Sequence, residues 1–136
     1  MVAFMTKTER KIISTDQAPA AIGPYAQANL AGGFIFTSGQ IPLDPDSGLI
    51  EGQTIEEQTE RALKNLKTIL EASGSGLENV IKTTVFLTNM SDFARMNEVY
   101  ARYFTGEKLP SRSAIGVASL PKGALVEIEA VALAQD

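Results

Sequence analysis

The chain has 136 residues, of which 44% are hydrophobic and 21% charged, a composition that fits one globular domain with a sizeable core. Twelve basic and sixteen acidic residues give a net charge of −4, without the basic footprint of a nucleic-acid-binding protein. The sequence holds no His and no Cys, which excludes imidazole bases, thiolate nucleophiles, disulfides and the usual zinc, haem and iron–sulfur ligands. Any catalysis must use carboxylates, Arg, Lys, hydroxyls or backbone groups.

Residues 1–10 are predicted to form a flexible tail before a single domain over residues 11–136. The segment MVAFMTKTERK has a four-residue apolar stretch, which is too short for a secretory signal. No apolar run approaches the roughly 18 residues that span a bilayer. We therefore expect a cytoplasmic protein with no membrane and no nucleic-acid partner.

The first half of the chain predicts three strands and a helix. Strands are expected at 10–15, near 25–30 and over FIFTSG from residue 34, with a hairpin turn at Gly32-Gly33. Residues 54–73 predict an amphipathic helix, because apolar residues recur at helical spacing from Ile55 to Leu70. Thr54 and Glu57 match a capping box, and Gly74 is placed to end the helix.

The second half predicts a strand, a helix and two strands. NVIKTTVFLTN is typical of a strand, with Ile81, Thr83, Val85 and Leu87 on one face. Ser91 is predicted to cap a helix over 92–104 that Gly106 ends. Strands over 111–118 and 125–134 flank the turn SLPKG, about which the two strands could pair as a hairpin.

This order of elements predicts an α+β fold, a mixed sheet with two helices on one face. In the last strand, the even residues from Val126 to Ala134 suit helix packing. The odd residues from Leu125 to Leu133 mix Glu with bulky apolar side chains. We expect this second face of the sheet to pack against another copy of the chain, so that the protein is a homo-oligomer.

Arg112 stands out in PSRSAIGV, a stretch of small and apolar residues in which an unpaired buried charge would be costly. Alternation places Arg112, Ala114 and Gly116 on one face of the strand, which leaves space beside the guanidinium. A planar carboxylate would fit there, because Arg offers a rigid fork of donors. The alternative is a solvated Arg at a strand end, or one paired with a structural carboxylate.

Three further positions could contribute to the same site. In a hairpin, Glu127 would lie roughly opposite Ala114–Gly116 and close to Arg112, where it could hold or activate water. A structural Arg112–Glu127 pair, or two charges at an oligomer interface, explains the pattern equally well. Tyr25 follows Gly23-Pro24 at a loop edge, and Ser38-Gly39 could offer backbone donors, although both patterns also occur in ordinary packing and turns.

Four motifs, APAAIGPYAQ, TSGQIP, KTTVFLTNMSDFARMNEVYARYF and PSRSAIGVASLPKGALVEIEAVA, together resemble the Rid/YjgF family over about residues 11–134. The closest likeness is to its imine deaminase branch. The resemblance implies a chorismate-mutase-like α+β fold and a homotrimer whose sheets form a central β-barrel. It also implies three sites in clefts between subunits. The implied activity is cofactor-free hydrolysis of reactive enamines and imines, 2-aminoacrylate, 2-iminopropanoate and 2-iminobutanoate, to 2-keto acids and ammonia.

The resemblance also assigns roles to individual residues. Arg112 matches the residue that holds the substrate carboxylate, and Glu127 the acid that positions the attacking water. Tyr25, Ser38, Gly39 and Asn97 match pocket-lining positions. One departure is Ala114, where many members have Cys, so that only its backbone carbonyl could contact the substrate nitrogen.

Two other functions stay open at this level. A trimer that binds small carboxylates without turnover would depend on Arg112 in the same way. Ribonuclease activity, also attached to the family, fits poorly with an acidic chain that has no His. The sequence does not identify the physiological imine.

Overall fold

A computed structural model describes residues 9–135, which form one six-stranded mixed sheet and two α-helices. The strands are β1 (Arg10–Ile13), β2 (Ala28–Ala31), β3 (Phe34–Thr37), β4 (Val80–Leu87), β5 (Ser111–Gly116) and β6 (Val126–Leu133), and the helices are α1 (Ile55–Ala72) and α2 (Phe93–Tyr103). The strand order is β1-β2-β3-β6-β4-β5, and only β4 and β5 run parallel. Most of the predicted tail lies outside the described residues, and Arg10 already belongs to β1.

The first half of the chain folds largely as predicted. Gly32 and Gly33 both have positive φ angles and turn the β2–β3 hairpin. In α1 the Thr54 hydroxyl accepts from the Glu57 amide, and the Glu57 carboxylate accepts from the Thr54 amide, which confirms the capping box. Gly74, with φ of +80°, ends the helix in a Schellman motif closed by the Ser75 amide on the Leu70 carbonyl.

Three predicted details of the next segment are wrong. Ile81 is exposed, because the register of β4 against β6 shifts between Val80 and Lys82 and takes Ile81 off the buried face. Ser91 does not cap α2, because it lies inside a short 3₁₀ turn (Met90–Asp92) that the Asn89 side chain caps. The helix also ends at Tyr103, three residues before Gly106.

The last two strands do not form the hairpin that would place Glu127 opposite Ala114–Gly116. β5 is one of the two edge strands and pairs in parallel with β4, whereas β6 inserts between β3 and β4 and is antiparallel to both. Burial explains the difference. In β6 the residues Val126, Ile128, Ala130 and Ala132 are all buried, as a central strand requires, while β5 is mostly exposed or half-buried.

The core lies between the helices and one face of the sheet. The even residues of β6 point into it, as predicted, together with Ile35, Val85 and Leu87 from the neighbouring strands and Leu63, Leu66 and Met96 from the helices. Among the described residues, no helix covers the opposite face. We call it the open face, and it presents Phe34, Phe36, Phe86, Ile115, Glu127, Glu129, Val131 and Leu133. Within residues 9–135, no helix has the length and apolar character to cross a membrane.

Candidate functional site

The structure divides the predicted site residues between two clefts. The first cleft, of about 340 Å³, is lined by residues of the loop after β1, the loop after β3 and the start of β6. It contains Tyr25, Ser38, Gly39 and Glu127. The second cleft, of about 470 Å³, lies between α2 and β5 and contains Asn97 and Arg112.

Glu127 and Gly39 are in close contact in the first cleft. A Cβ atom at Gly39 would overlap the Glu127 carboxylate, so the absence of a side chain there creates the space that the carboxylate occupies. Within residues 9–135 the Glu127 carboxylate accepts no hydrogen bond, and the Gly39 amide donates none. The cleft therefore offers one carboxylate and one backbone donor side by side.

Burial raises the pKa of the Glu127 carboxyl, because desolvation disfavours its charged form. Glu129, two residues along the same strand and on the same face, raises the pKa further through charge repulsion. A carboxyl with a raised pKa can take up and release protons closer to neutral pH than an ordinary Glu. Glu127 is thus suited to proton transfer.

Hydrogen bonds between main chain and side chains fix the walls of the first cleft. The Ser38 hydroxyl donates to the Ala26 carbonyl at 2.6 Å, and the Ser38 amide donates to the Gln27 carbonyl at 2.9 Å. Ser38 therefore joins the end of β3 to the loop that carries Tyr25. The Tyr25 ring is half exposed, and its hydroxyl accepts from the Ile22 amide at 3.2 Å. Both residues shape the cleft, and the exposed Tyr25 ring can also contact a ligand.

The Arg112 guanidinium in the second cleft lies against aromatic rings. Its central carbon is 4.8 Å from the Tyr100 ring centroid and 5.4 Å from that of Phe93. The Arg112 Nη1 donates a hydrogen bond to the Asn97 Oδ1 at 2.6 Å. No carboxylate within residues 9–135 forms an ion pair with Arg112. The half-buried cation is neither simply solvated nor paired with a structural acid, and it keeps donors for an anion.

Arg112 and Glu127 do not share a cleft within one chain. Arg112 pairs with the buried Thr83 of β4 and faces the helices, whereas Glu127 pairs with Phe86 and belongs to the open face. This overturns the predicted Arg112–Glu127 proximity, because that prediction depended on the hairpin. Ala114 lies on the helix side beside Val85, where it packs against the core.

Two residues that hold the walls of the first cleft were not identified from the sequence. Gln27 bridges the ends of the Tyr25 loop through Thr15 and Pro19. Asn65, on the buried face of α1, donates to the carbonyls of Ile41 and Leu43, which line the first cleft. Asn65 could have been identified from the sequence, because it is a polar residue in the apolar stripe of a helix.

Over residues 9–135, no three Asp or Glu side chains converge in a way that could hold a metal ion. Among the predicted site residues, the two clefts contain an acid beside the Gly39 backbone and a cation in an aromatic setting. Together they define an α+β protein equipped to bind a small anionic molecule.

The family model described as endoribonuclease L-PSP matches residues 15–134. The chain therefore belongs to this family, also called Rid/YjgF, as its motifs indicated. It is 51% identical to the 2-iminobutanoate/2-iminopropanoate deaminase of Mus musculus over 129 residues, 95% of each sequence. It is 54% identical to a RutC family protein of Pyrococcus horikoshii, over 90% of this chain and 97% of that protein. The crystal structure of Escherichia coli TdcF with bound serine superimposes with a TM-score of 0.85 at 44% identity, covering 92% of this chain and 99% of that one.

Proposed function

We propose that the protein is a cofactor-free deaminase that hydrolyses 2-imino acids, such as 2-iminopropanoate and 2-iminobutanoate, to 2-keto acids and ammonia. The observation that carries the proposal is Arg112, a half-buried cation with free donors and no acidic partner among the described residues. The mouse relative, which is named for this reaction, supports the choice of substrate class.

Imine hydrolysis requires few catalytic groups. The imine carbon is already electrophilic, so hydrolysis needs a held substrate, a positioned water and a proton route. Arg112 binds the substrate carboxylate, Glu127 accepts a proton from the attacking water and returns one to the departing nitrogen, and the Gly39 amide is a donor in the same cleft. Water adds to the C=N carbon, and the C–N bond breaks to leave the keto acid and ammonia. Tyr25, Ser38 and Asn97 shape the pocket, and Ala114 can contribute its carbonyl.

A complete site requires two copies of the chain, because Arg112 and Glu127 extend from opposite faces of the sheet. We propose a homotrimer in which the open faces pack into a central β-barrel and each active site takes Arg112 from one subunit and Glu127 from the next. The open face supports this arrangement. Phe36 and Leu133 are 47% and 44% exposed there, and Phe34 and Ile115 lie nearby on the same face. Apolar patches of this kind on a sheet are typical of subunit interfaces.

The test is ammonia and keto-acid release when the purified protein is added to threonine dehydratase and threonine. Arg112→Ala is expected to lose about 1.5 to 3 kcal/mol of charge-assisted binding, roughly a 10- to 150-fold fall in kcat/KM. Arg102→Ala, which removes an exposed guanidinium from α2, is the matched control and should behave as wild type. Equal acceleration by Arg112→Ala and wild type would contradict the proposal.

The alternative function is a non-enzymatic trimer that binds small carboxylates. It predicts Arg112-dependent binding of 2-oxobutanoate with no acceleration of ammonia release by the wild-type protein. The name of the family model suggests RNA cleavage. The net charge of −4 and the absence of His do not support that function. A lack of salt-dependent RNA binding would dismiss this function.

A further inference from the structure

The residues beneath the Arg112 guanidinium form a connected, buried support. The Tyr100 ring lies 4.8 Å from the guanidinium carbon, and its hydroxyl shares a 2.7 Å hydrogen bond with the Thr83 Oγ1. Thr83 is fully buried and Tyr100 is nearly so. The Tyr100 ring also packs on the Phe104 ring, with 4.5 Å between the ring centroids. The ring therefore has little freedom to tilt or slide.

The geometry points to a role for this support that is separate from the pocket-lining residues. A guanidinium binds a carboxylate edge-on, in its own plane, through two parallel hydrogen bonds. An aromatic ring against the face of the guanidinium leaves that edge open while it fixes the plane. Asn97 takes one Nη1 donor at 2.6 Å and limits rotation within the plane. The Tyr100 ring and the Asn97 side-chain amide together hold the other N–H donors of Arg112 in one orientation.

We propose that Tyr100, fixed by Thr83, is a positioning residue that holds the Arg112 guanidinium in the plane required to bind the substrate carboxylate. The proposal rests on the proposed function for the identity of the ligand. The positioning itself concerns residues of a single chain and can be measured without turnover. Burial also raises the pKa of the Tyr100 phenol, although Thr83 and Arg112 oppose this effect. The hydroxyl therefore stays protonated and bound to Thr83 at neutral pH.

Three variants separate the ring from its hydroxyl. Tyr100→Leu removes the aromatic face, Tyr100→Phe keeps the face and removes the hydroxyl, and Thr83→Val removes the partner of that hydroxyl with little change of shape. Tyr103→Phe is the control for the loss of a Tyr hydroxyl, because Tyr103 lies on the same helix and bonds to Glu60 instead. Thr59→Val is the control for the loss of a buried Thr hydroxyl, because Thr59 Oγ1 has no partner within residues 9–135.

The kinetic expectation is a change in KM with little change in kcat. Arg112 holds the carboxylate equally in the ground state and the transition state, so a looser guanidinium weakens binding uniformly. Tyr100→Leu should raise KM by roughly 5- to 30-fold, and Tyr100→Phe and Thr83→Val by about 2- to 5-fold. Both controls should keep the wild-type KM. A loss of folding alone would lower kcat per mole of protein and leave KM unchanged.

The direct measurement is the ¹⁵N NMR signal of the Arg112 side chain, assigned by its absence in Arg112→Lys. A guanidinium held in one plane rotates slowly about its Nε–Cζ bond and gives separate Nη signals, whereas a mobile one gives an averaged signal. We expect separate signals in wild type, Tyr103→Phe and Thr59→Val, partial averaging in Thr83→Val and Tyr100→Phe, and full averaging in Tyr100→Leu.

The two proposals fail in different ways. Separate Nη signals and an unchanged KM in both Thr83→Val and Tyr100→Leu would overturn the positioning role even if wild type is an active deaminase. Absence of deaminase activity in wild type would overturn the proposed function, and the NMR signals would still decide whether Tyr100 holds Arg112. Thermal unfolding of each variant identifies any that fail to fold, and Tyr100→Phe keeps the test open if Tyr100→Leu does not fold.

Discussion

Arg112 and Glu127 project from opposite faces of the same sheet, although only β4 separates their two strands. Arg112 lies beside Thr83 on the helix side, and Glu127 lies beside Phe86 on the open face. A substrate small enough to be an imino acid cannot contact both through the sheet. If both residues act on one substrate, the active site is therefore a product of assembly, and activity depends on the contact between subunits.

The pH dependence of hydrolysis should reflect the environment of Glu127. As a base, Glu127 must be ionised, so activity should rise with pH through a limb that lies above the usual pKa of a Glu carboxyl, because burial and Glu129 both raise that pKa. Glu129→Gln removes the repulsion and should shift the limb to lower pH without abolishing activity. The measurement is kcat/KM against pH for both proteins.

Glu71→Gln is the control for this experiment, because it removes an exposed carboxylate near the end of α1, outside both clefts. It should leave the limb in place. A Glu129→Gln limb at the wild-type pH, or one displaced to higher pH, would argue against a catalytic Glu127 carboxylate.

A methyl group at Gly39 should displace the Glu127 carboxylate. The new Cβ would overlap that carboxylate, and the site would lose activity while the fold remains, because the φ of Gly39 lies outside the left-handed region and is open to any residue. Gly76→Ala is a matched control: its Cβ would also meet a carboxylate, that of Glu78, away from both clefts. We expect Gly39→Ala to lower kcat by at least about tenfold, and Gly76→Ala to keep wild-type activity. Equal activity of the two variants would count against the role of this contact.

The open face should drive assembly. Phe36→Glu places a charge in the middle of the exposed apolar residues of β3 and β6, and burying that charge in an interface would be costly. In size-exclusion chromatography with light scattering, wild type should have about three times the chain mass of 14.5 kDa, and Phe36→Glu the mass of one chain. Leu49→Glu, at a 66% exposed loop residue, should remain a trimer. A monomeric wild type would refute the assembly.

Replacement of Asn65 should lower the stability of the fold and also disturb the wall of the first cleft. Its side chain is fully buried, donates to the carbonyls of Ile41 and Leu43 and accepts from the Arg61 Nη2. The Ile41 carbonyl also accepts from the Leu43 amide, so Asn65→Leu would leave the buried Leu43 carbonyl unpaired and remove the acceptor of Arg61. We expect a loss of about 2 to 4 kcal/mol in the free energy of unfolding and a higher KM. Chemical denaturation measures the first and steady-state kinetics the second. A stability within about 0.5 kcal/mol of wild type would show that the loop holds its position without Asn65.

Local patterns predicted most of the elements. The capping box of Thr54 and Glu57, the glycine turn at Gly32-Gly33 and the buried even residues of β6 depend on neighbours in sequence, and all three are confirmed. Strand order does not depend on such neighbours. The turn SLPKG would allow a hairpin, but the apolar residues of β6 are buried only in a central strand. In the observed strand order β4 therefore lies between β5 and β6.

The candidate site was predictable as a set of residues but not as an arrangement. Arg112 was visible as a charge among small residues, yet its closest ring contacts, Phe93 and Tyr100, come from a helix whose apolar face predicted only core packing. The separation of Arg112 from Glu127 follows from strand order, which no local pattern reports. Position in the sheet, rather than residue type, decided which cleft each residue lines.

The measurement that tests the central claim most directly is a mixing experiment with two variants expected to be impaired, Arg112→Ala and Glu127→Gln, assayed at substrate concentrations well below the wild-type KM. The two proteins are unfolded together, refolded in equal amounts and assayed for ammonia release, with each variant refolded alone as the control. If each site takes Arg112 from one subunit and Glu127 from its neighbour, random assembly restores roughly a quarter of the sites, and activity should return to about that share of refolded wild type. If the mixture is no more active than its components while refolded wild type is fully active, the two residues do not meet between subunits, and the account of the active site is wrong.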